Sequence, residues 1–172
     1  MAKNSISEML HHIAKEVGFR PARQCYIEAR FTLAFLAGIL VVWLGHGWLP
    51  PFSSSHEFDW KLLLALIVWQ PVFEEMLFRG IIQGQLSKRV WGQRSWLQIS
   101  SANGVTSLMF AGFHLIYQPA FFSLTVFVPS LVFGYFRDRC DSIYPSILLH
   151  CAYNAFVFAG LIIAGNMDLP TV

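Results

Sequence analysis

The stretch KLLLALIVWQPVFEEMLFRGII, residues 61–82, decides the fold. After Lys61 it carries no charge until Glu74, Glu75 and Arg79. A run of roughly 20 predominantly apolar residues is the length that crosses a bilayer core as a helix. Four more apolar segments surround it, at about 31–49, 101–117, 120–136 and 143–164, each near the length of a span. The third and fourth of the five are short and separated by Tyr117-Gln118-Pro119. They read as tilted spans or as one broken helical hairpin.

Composition supports lipid as the surrounding medium. Of 172 residues, 55% are hydrophobic and 13% charged, with a mean hydropathy of +0.51. A soluble domain of this length needs roughly twice that charge fraction to coat its surface. No linker divides the apolar blocks, so residues 1–172 form a single membrane domain. The net charge of +2 is small and scattered and excludes a nucleic-acid partner. Cys25, Cys140 and Cys151 form no C-x-x-C spacing and read as packing residues rather than a disulfide framework or metal site. No cleaved signal peptide is expected, because the first apolar run starts at Phe31 without a small-residue cleavage site after it.

Residues 4–18 place Ile6, Met9, Leu10, Ile13 and Val17 on one helical face, with Ser5-x-x-Glu8 at capping-box spacing. Gly18 and Pro21 end the segment. Such a helix ahead of a first span lies in the membrane interface, although an ordinary packed helix has the same pattern. Lys3, Lys15, Arg20, Arg23 and Arg30 precede the first span. Lys88, Arg89 and Arg94 follow the second, and Arg137 and Arg139 follow the fourth. The loop at 50–60 has no Lys or Arg. Alternate loops are therefore basic, as expected for five spans with a cytoplasmic N-terminus. The expected fold is an all-α polytopic transmembrane bundle preceded by an amphipathic interfacial helix. Gly80-x-x-x-Gly84 allows close helix approach but is a common pattern.

Ionisable side chains inside lipid are costly and call for a partner or a function. Here they are Glu74, Glu75 and Arg79 in the second span, His114 in the third, and His150 with Asn154 in the fifth. His46 can reach the interface. Glu75 and Arg79 are four apart, on one helix face, with the glutamate in the favourable N-terminal position. Glu74 lies about 100° around the helix, so one carboxylate is neutralised locally and the other is left for another task. Arg79, near the basic end of its span, can snorkel. Pro71 lacks a backbone donor, and an α-helical register leaves the Ile67 carbonyl free there. At about 1.5 Å per residue, Glu74 and His150 lie roughly 10–12 Å below the basic surface, whereas a straight helix from residue 101 carries His114 roughly 20 Å deep.

A carboxylate in low dielectric holds its proton more tightly, which suits a general base that later acts as an acid. With a histidine it can polarise a water for attack on a carbonyl, and His150 with Asn154, four apart, can donate to the oxyanion. Other chemistries lack their parts. His56-Glu57 is followed by Trp60 where an H-E-x-x-H motif needs its second histidine. Asp59, Asp138, Asp141 and Asp168 all fall in expected loops, so no aspartyl dyad lies within a span. Ser146, four before His150, has a chance spacing.

The run Pro71–Gly80, with Glu74-Glu75-x-x-x-Arg79, resembles the first motif of the CAAX protease and bacteriocin-processing (CPBP, or Abi) family. Phe110-x-x-x-His114 resembles its second motif, and His150-x-x-x-Asn154 its last. The resemblance covers about residues 61–160 and implies a glutamic-type intramembrane endopeptidase. By that analogy Glu74 and His114 activate water, His150 and Asn154 form the oxyanion hole, and Glu75, Arg79 and Phe110 support the site. It implies no cofactor and no metal, with the lipid bilayer and a membrane-associated protein or peptide substrate as partners. Nothing in the sequence sets an oligomeric state. The chain is shorter than eukaryotic members, which favours a prokaryotic inner-membrane protein acting on secreted peptides or C-terminal sorting signals. Two alternatives stay open: a zinc protease using His114, His150 and a glutamate, and a non-catalytic scaffold or immunity factor.

Overall fold

Long apolar runs make long helices here, and helices account for most of the structure. The computed structural model describes residues 2–45 and 60–164. His46, the end of the first apolar segment, the loop at 50–59 with His56, Glu57 and Asp59, and Asp168 lie outside the described residues.

Helix α1 spans Ala2–Val17. It begins before Ser5, which therefore sits inside the helix, so the expected capping box is not its N-terminus. Ile6, Met9, Leu10 and Ile13 are exposed along its apolar face. Gly18 ends it at φ +95°, a left-handed conformation that glycine adopts without a Cβ clash. The C-terminal end of α1 docks on the bundle through Gly80, where an added Cβ would lie 2.5 Å from Val17 Cγ1. The G-x-x-x-G pattern therefore admits α1 rather than marking a chance spacing. Lys88 pairs with Glu16 beside this contact and holds its carboxyl below the ordinary range.

Helix α2 (Arg23–Tyr26) leads into α3 (Ala29–Gly45). Next comes an unbroken helical rod that we label α4. It consists of an α turn Trp60–Leu64, a π segment Ala65–Trp69, an α segment Gln70–Glu75, a second π segment Met76–Gln83 and a last turn Gly84–Leu86. A small antiparallel hairpin, β1 (Ser95–Trp96) and β2 (Ile99–Ser100), follows. Helix α5 is Ser101–His114, capped by the Ser100 side chain, which accepts from the Asn103 amide. Helices α6 (Ala120–Thr125) and α7 (Phe127–Cys140) are separated at Val126. Pro129 explains the break, because it has no N–H to give the Thr125 carbonyl. The bundle closes with α8 (Tyr144–Ile163).

The core is aromatic. Phe31, Phe133, Phe136 and Leu149 pack together between α3, α7 and α8. Gly38 of α3 makes room for the Tyr153 ring, whose hydroxyl donates to the Ala34 carbonyl at 2.6 Å. Gly134 of α7 does the same for Asn103, which donates to the Leu131 carbonyl at 2.9 Å. Cys25 and Cys140 form a disulfide with a Cα separation of 6.2 Å, which corrects their reading as packing residues. Their neighbours bring them together, since Phe31 packs on Phe136 and Arg139 bonds Glu28 at 2.6 Å. Cys151 is free.

Among the described residues two stretches, Ala120–Cys140 and Tyr144–Ile163, are long and apolar enough to cross a membrane, and Ala29–Gly45 is a shorter apolar helix. Helix α5 is only about 21 Å long at 1.5 Å per residue, so it falls short of a 30 Å core.

Candidate active site

Pro71 sets the geometry of α4. In the first π segment the Gln70 amide bonds the Ala65 carbonyl, an i to i−5 step. The next such step would run from residue 71 to Leu66, and Pro71 has no N–H to make it. Asn154 of α8 supplies the missing donor, giving its Nδ2 to the Leu66 carbonyl at 2.9 Å. Asn154 thus meets the Leu66 carbonyl, one residue before the Ile67 carbonyl that an α register leaves free.

Beyond this point the two glutamates diverge. Glu75 points into the bundle and is fully buried. Its Oε2 accepts from Arg79 Nε at 3.1 Å and its Oε1 from His150 Nδ1 at 2.9 Å. Arg79 is also fully buried and does not snorkel. Its Nη2 donates to Ser130 Oγ at 2.6 Å, and its guanidinium lies 5.5 Å from the Phe110 ring centroid. The second π segment keeps it inside, on the α7 side of the rod. Glu74 faces a cavity of about 340 Å³ lined by Gln70, Glu74, Phe113, His114, Tyr117 and Gln118. Its Oε1 accepts from Gln70 Nε2 at 2.8 Å, and its Oε2 stands 3.7 Å from His150 Nε2.

Both histidines are fixed by acceptors on Nδ1. His114 Nδ1 lies 2.9 Å from the Phe110 carbonyl, which can only accept, so Nδ1 carries a proton and, in the neutral ring, Nε2 is the acceptor. His150 donates a hydrogen bond from Nδ1 to Glu75 and stacks on Phe133 with ring centroids 4.9 Å apart. Phe110 touches the whole group, with its ring 4.5 Å from His114, 5.8 Å from His150 and 5.0 Å from Phe78.

Glu74 and His114 therefore line one cavity, Glu75, Arg79, Phe110 and His150 are linked to one another beside it, and Asn154 meets α4 at the Leu66 carbonyl. Two features reduce the mismatch in depth. Helix α4 continues to Leu86, so Glu74 is about 18 Å from its basic end, close to the roughly 20 Å of His114 along α5. Helix α8 starts recessed, because Ser142 and Ile143 are fully buried under the Gly18–Arg20 segment, to which both hydrogen-bond. A second, larger cavity of about 560 Å³ lies at the basic end among Glu16, Arg20, Gln83, Lys88, Arg137 and Asp138. Asp138 is in α7, not a loop, and accepts from Gln83 and Ser100. Buried Phe78, Arg79, Gln83 and Phe110 form the packed layer next to the site.

Gln70, Ser130, Phe133 and the Leu66 carbonyl were not singled out from sequence. Gln70 had a visible signal, a lone amide inside an apolar run four residues before Glu74. The others had none. Ser146, near His150, donates to the Phe133 carbonyl at 2.8 Å. Among the described residues no group of three His, Cys, Asp or Glu side chains is placed to hold a metal ion.

A family model, type II CAAX prenyl endopeptidase Rce1-like, matches residues 56–156. No curated protein and no solved structure matches the chain.

Proposed function

From the premise that the chain belongs to the Rce1-like family of type II CAAX prenyl endopeptidases, integral membrane proteases, we propose a glutamate- and histidine-driven hydrolysis of a peptide bond within the membrane. The observation that carries this reading is that Glu74 and His114 line one cavity, with His150 Nε2 3.7 Å from the Glu74 carboxylate.

A water between Glu74 and His114 gives one proton to Glu74 while its second is held by His114 Nε2. Its oxygen attacks the scissile carbonyl carbon, and the carbonyl oxygen becomes an oxyanion. His150, protonated on both nitrogens, donates from Nε2 to that oxyanion, and Asn154 donates from the N–H not spent on Leu66. Before the attack the charges of Glu74, Glu75, Arg79 and His150 sum to zero, and once Glu74 is protonated the oxyanion takes the place of its charge, so the imidazolium stays compensated inside low dielectric. As the tetrahedral intermediate collapses, the C–N bond breaks and Glu74 returns its proton to the leaving amine. The second water proton, held at His114 Nε2, passes to the amine as well, so the products are one carboxylate and one ammonium. Glu75, Arg79, Ser130 and Phe110 hold His150 in place.

In the same reading α3, α4, α5, the α6–α7 pair and α8 make five passes, the third completed by the segment that follows α5, because α5 is too short to cross alone. The N-terminus is cytoplasmic, and α1 lies with Ile6, Met9, Leu10 and Ile13 in the interface. The setting is a prokaryotic inner membrane, and the substrate is a membrane-associated protein or peptide. The test compares membrane and secreted peptidomes from cells carrying wild-type or Glu74→Gln protein. A new terminus made only by wild type is expected. Identical peptidomes, with Glu74→Gln keeping the biological effect, would favour a scaffold instead.

A further inference from the structure

Gln70 is a polar group of the cavity that the hydrolytic scheme does not use. It sits one helical turn before Glu74, on the same face of α4, and lines the same cavity. An amide at this depth in an apolar helix is costly, so its contact matters. Gln70 Nε2 donates to Glu74 Oε1 at 2.8 Å. The amide orientation is settled by its partner, because a reversed amide would set two acceptors against each other.

Glu74 Oε2 lies 3.7 Å from His150 Nε2, beyond a direct hydrogen bond. In low dielectric a carboxylate and an imidazolium this close would otherwise draw together to about 2.7–2.9 Å. That contact would occupy the base and the oxyanion donor with each other, leaving neither for water or substrate. We propose that Gln70 is a positioning residue that tethers Glu74 Oε1, keeps the carboxylate apart from His150 and fixes Oε2 as the oxygen that takes the water proton. This role rests on the hydrolytic reading above. It acts through Glu74, so it affects the chemical step and not substrate binding.

Gln70→Met tests it, since methionine keeps the length and helix propensity, removes the donor and occupies an exposed position on the rod. Kinetics are measured on a synthetic peptide spanning the cleavage site found by the peptidome comparison. Losing a hydrogen bond to a charged group should lower kcat by about 10–100-fold while KM moves by less than about twofold. Nitrogen-15 spectra of histidine-labelled protein in detergent should show the His150 Nε2 proton shifted downfield, the mark of a new bond to Glu74. A kcat within about twofold of wild type, or an unchanged His150 spectrum, overturns the tether. Glu74→Gln separates this from the reading beneath it. If Glu74→Gln is inactive and Gln70→Met is normal, the tether alone fails. If wild type makes no new terminus, or Glu74→Gln cleaves as well, the hydrolytic reading falls and the tether with it.

Discussion

Replacing Glu75 by glutamine should damage this protein twice, through stability and through His150. Glu75 and Arg79 are both fully buried and bonded at 3.1 Å. Glutamine keeps the shape but leaves the guanidinium with only neutral partners, Ser130 Oγ and the Phe110 face. Breaking a buried pair from one side costs about 3–5 kcal/mol, and Arg79 cannot recover this by reaching water. A loss of that size is a large share of a typical net stability of about 5–15 kcal/mol. Thermal and denaturant unfolding in detergent should show a much lower midpoint and reduced yield. The folded fraction should also be slow, because His150 Nδ1 loses the carboxylate that bonds it at 2.9 Å and compensates its charge. Weakening one oxyanion donor typically lowers kcat by about 10²–10³-fold. Arg79→Met alone should destabilise by a similar amount. Combined with Glu75→Gln it should recover about 0.5–3 kcal/mol relative to the summed single effects, with no recovery of activity. Glu75→Gln within about 0.5 kcal/mol of wild type would refute the argument, since the pair would then not be carrying a buried charge. A stable, inactive Glu75→Gln beside an active Glu74→Gln would exchange the two roles.

Three further outcomes are expected. Prolonged chelation and dialysis should leave activity in detergent intact; loss restored specifically by zinc, with metal found in the protein, would establish a metalloprotease. Reduction of Cys25–Cys140, which are 115 residues apart, should lower the thermal midpoint, by an amount in the usual disulfide range of about 2–4 kcal/mol, while Cys25→Ser becomes indifferent to reductant. An unchanged midpoint after confirmed reduction would contradict this. Gly80→Val should drive α1 off the bundle, because even one added carbon meets Val17 at 2.5 Å. Limited proteolysis before Gly18 should then accelerate, and an unchanged rate would show that α1 is held elsewhere.

Much of the fold was legible because helix formation in an apolar chain depends on local pattern. The segments at 61–82 and 143–164 match α4 and α8 closely. Departures arose where a distant contact decides the outcome. The π register around Pro71 depends on Asn154, 88 residues from the carbonyl it meets. The disulfide depends on α2 lying against the end of α7. The hairpin at 95–100 had no alternating apolar pattern to announce it. In the site, residue types and helical spacing placed the ionisable groups. They could not show that Glu75 bonds His150, because that contact joins two helices 75 residues apart. Nor could they show that Arg79 is sealed inside, since its position near a helix end permits either direction.

Asn154 has two candidate tasks, and Pro71 offers a way to separate them. One N–H of its amide is already committed to the Leu66 carbonyl, the acceptor that Pro71 leaves unsatisfied. Leaving a buried carbonyl unpaired costs about 1–3 kcal/mol, so Asn154→Ala should destabilise α4 even if Asn154 never touches an oxyanion. Pro71→Ala restores a backbone N–H in the position to bond Leu66 in the existing i to i−5 register. The pair Pro71→Ala with Asn154→Ala should therefore recover most of the thermal stability lost by Asn154→Ala alone. Activity is the discriminating readout. If Asn154 donates its second N–H to the oxyanion, the stabilised double mutant should remain slow, with kcat about 10²-fold below Pro71→Ala alone. If cleavage returns together with stability, Asn154 works by holding the rod beneath Glu74, and the oxyanion depends on His150 alone. A double mutant no more stable than Asn154→Ala would mean that the Leu66 carbonyl is not what Asn154 sustains.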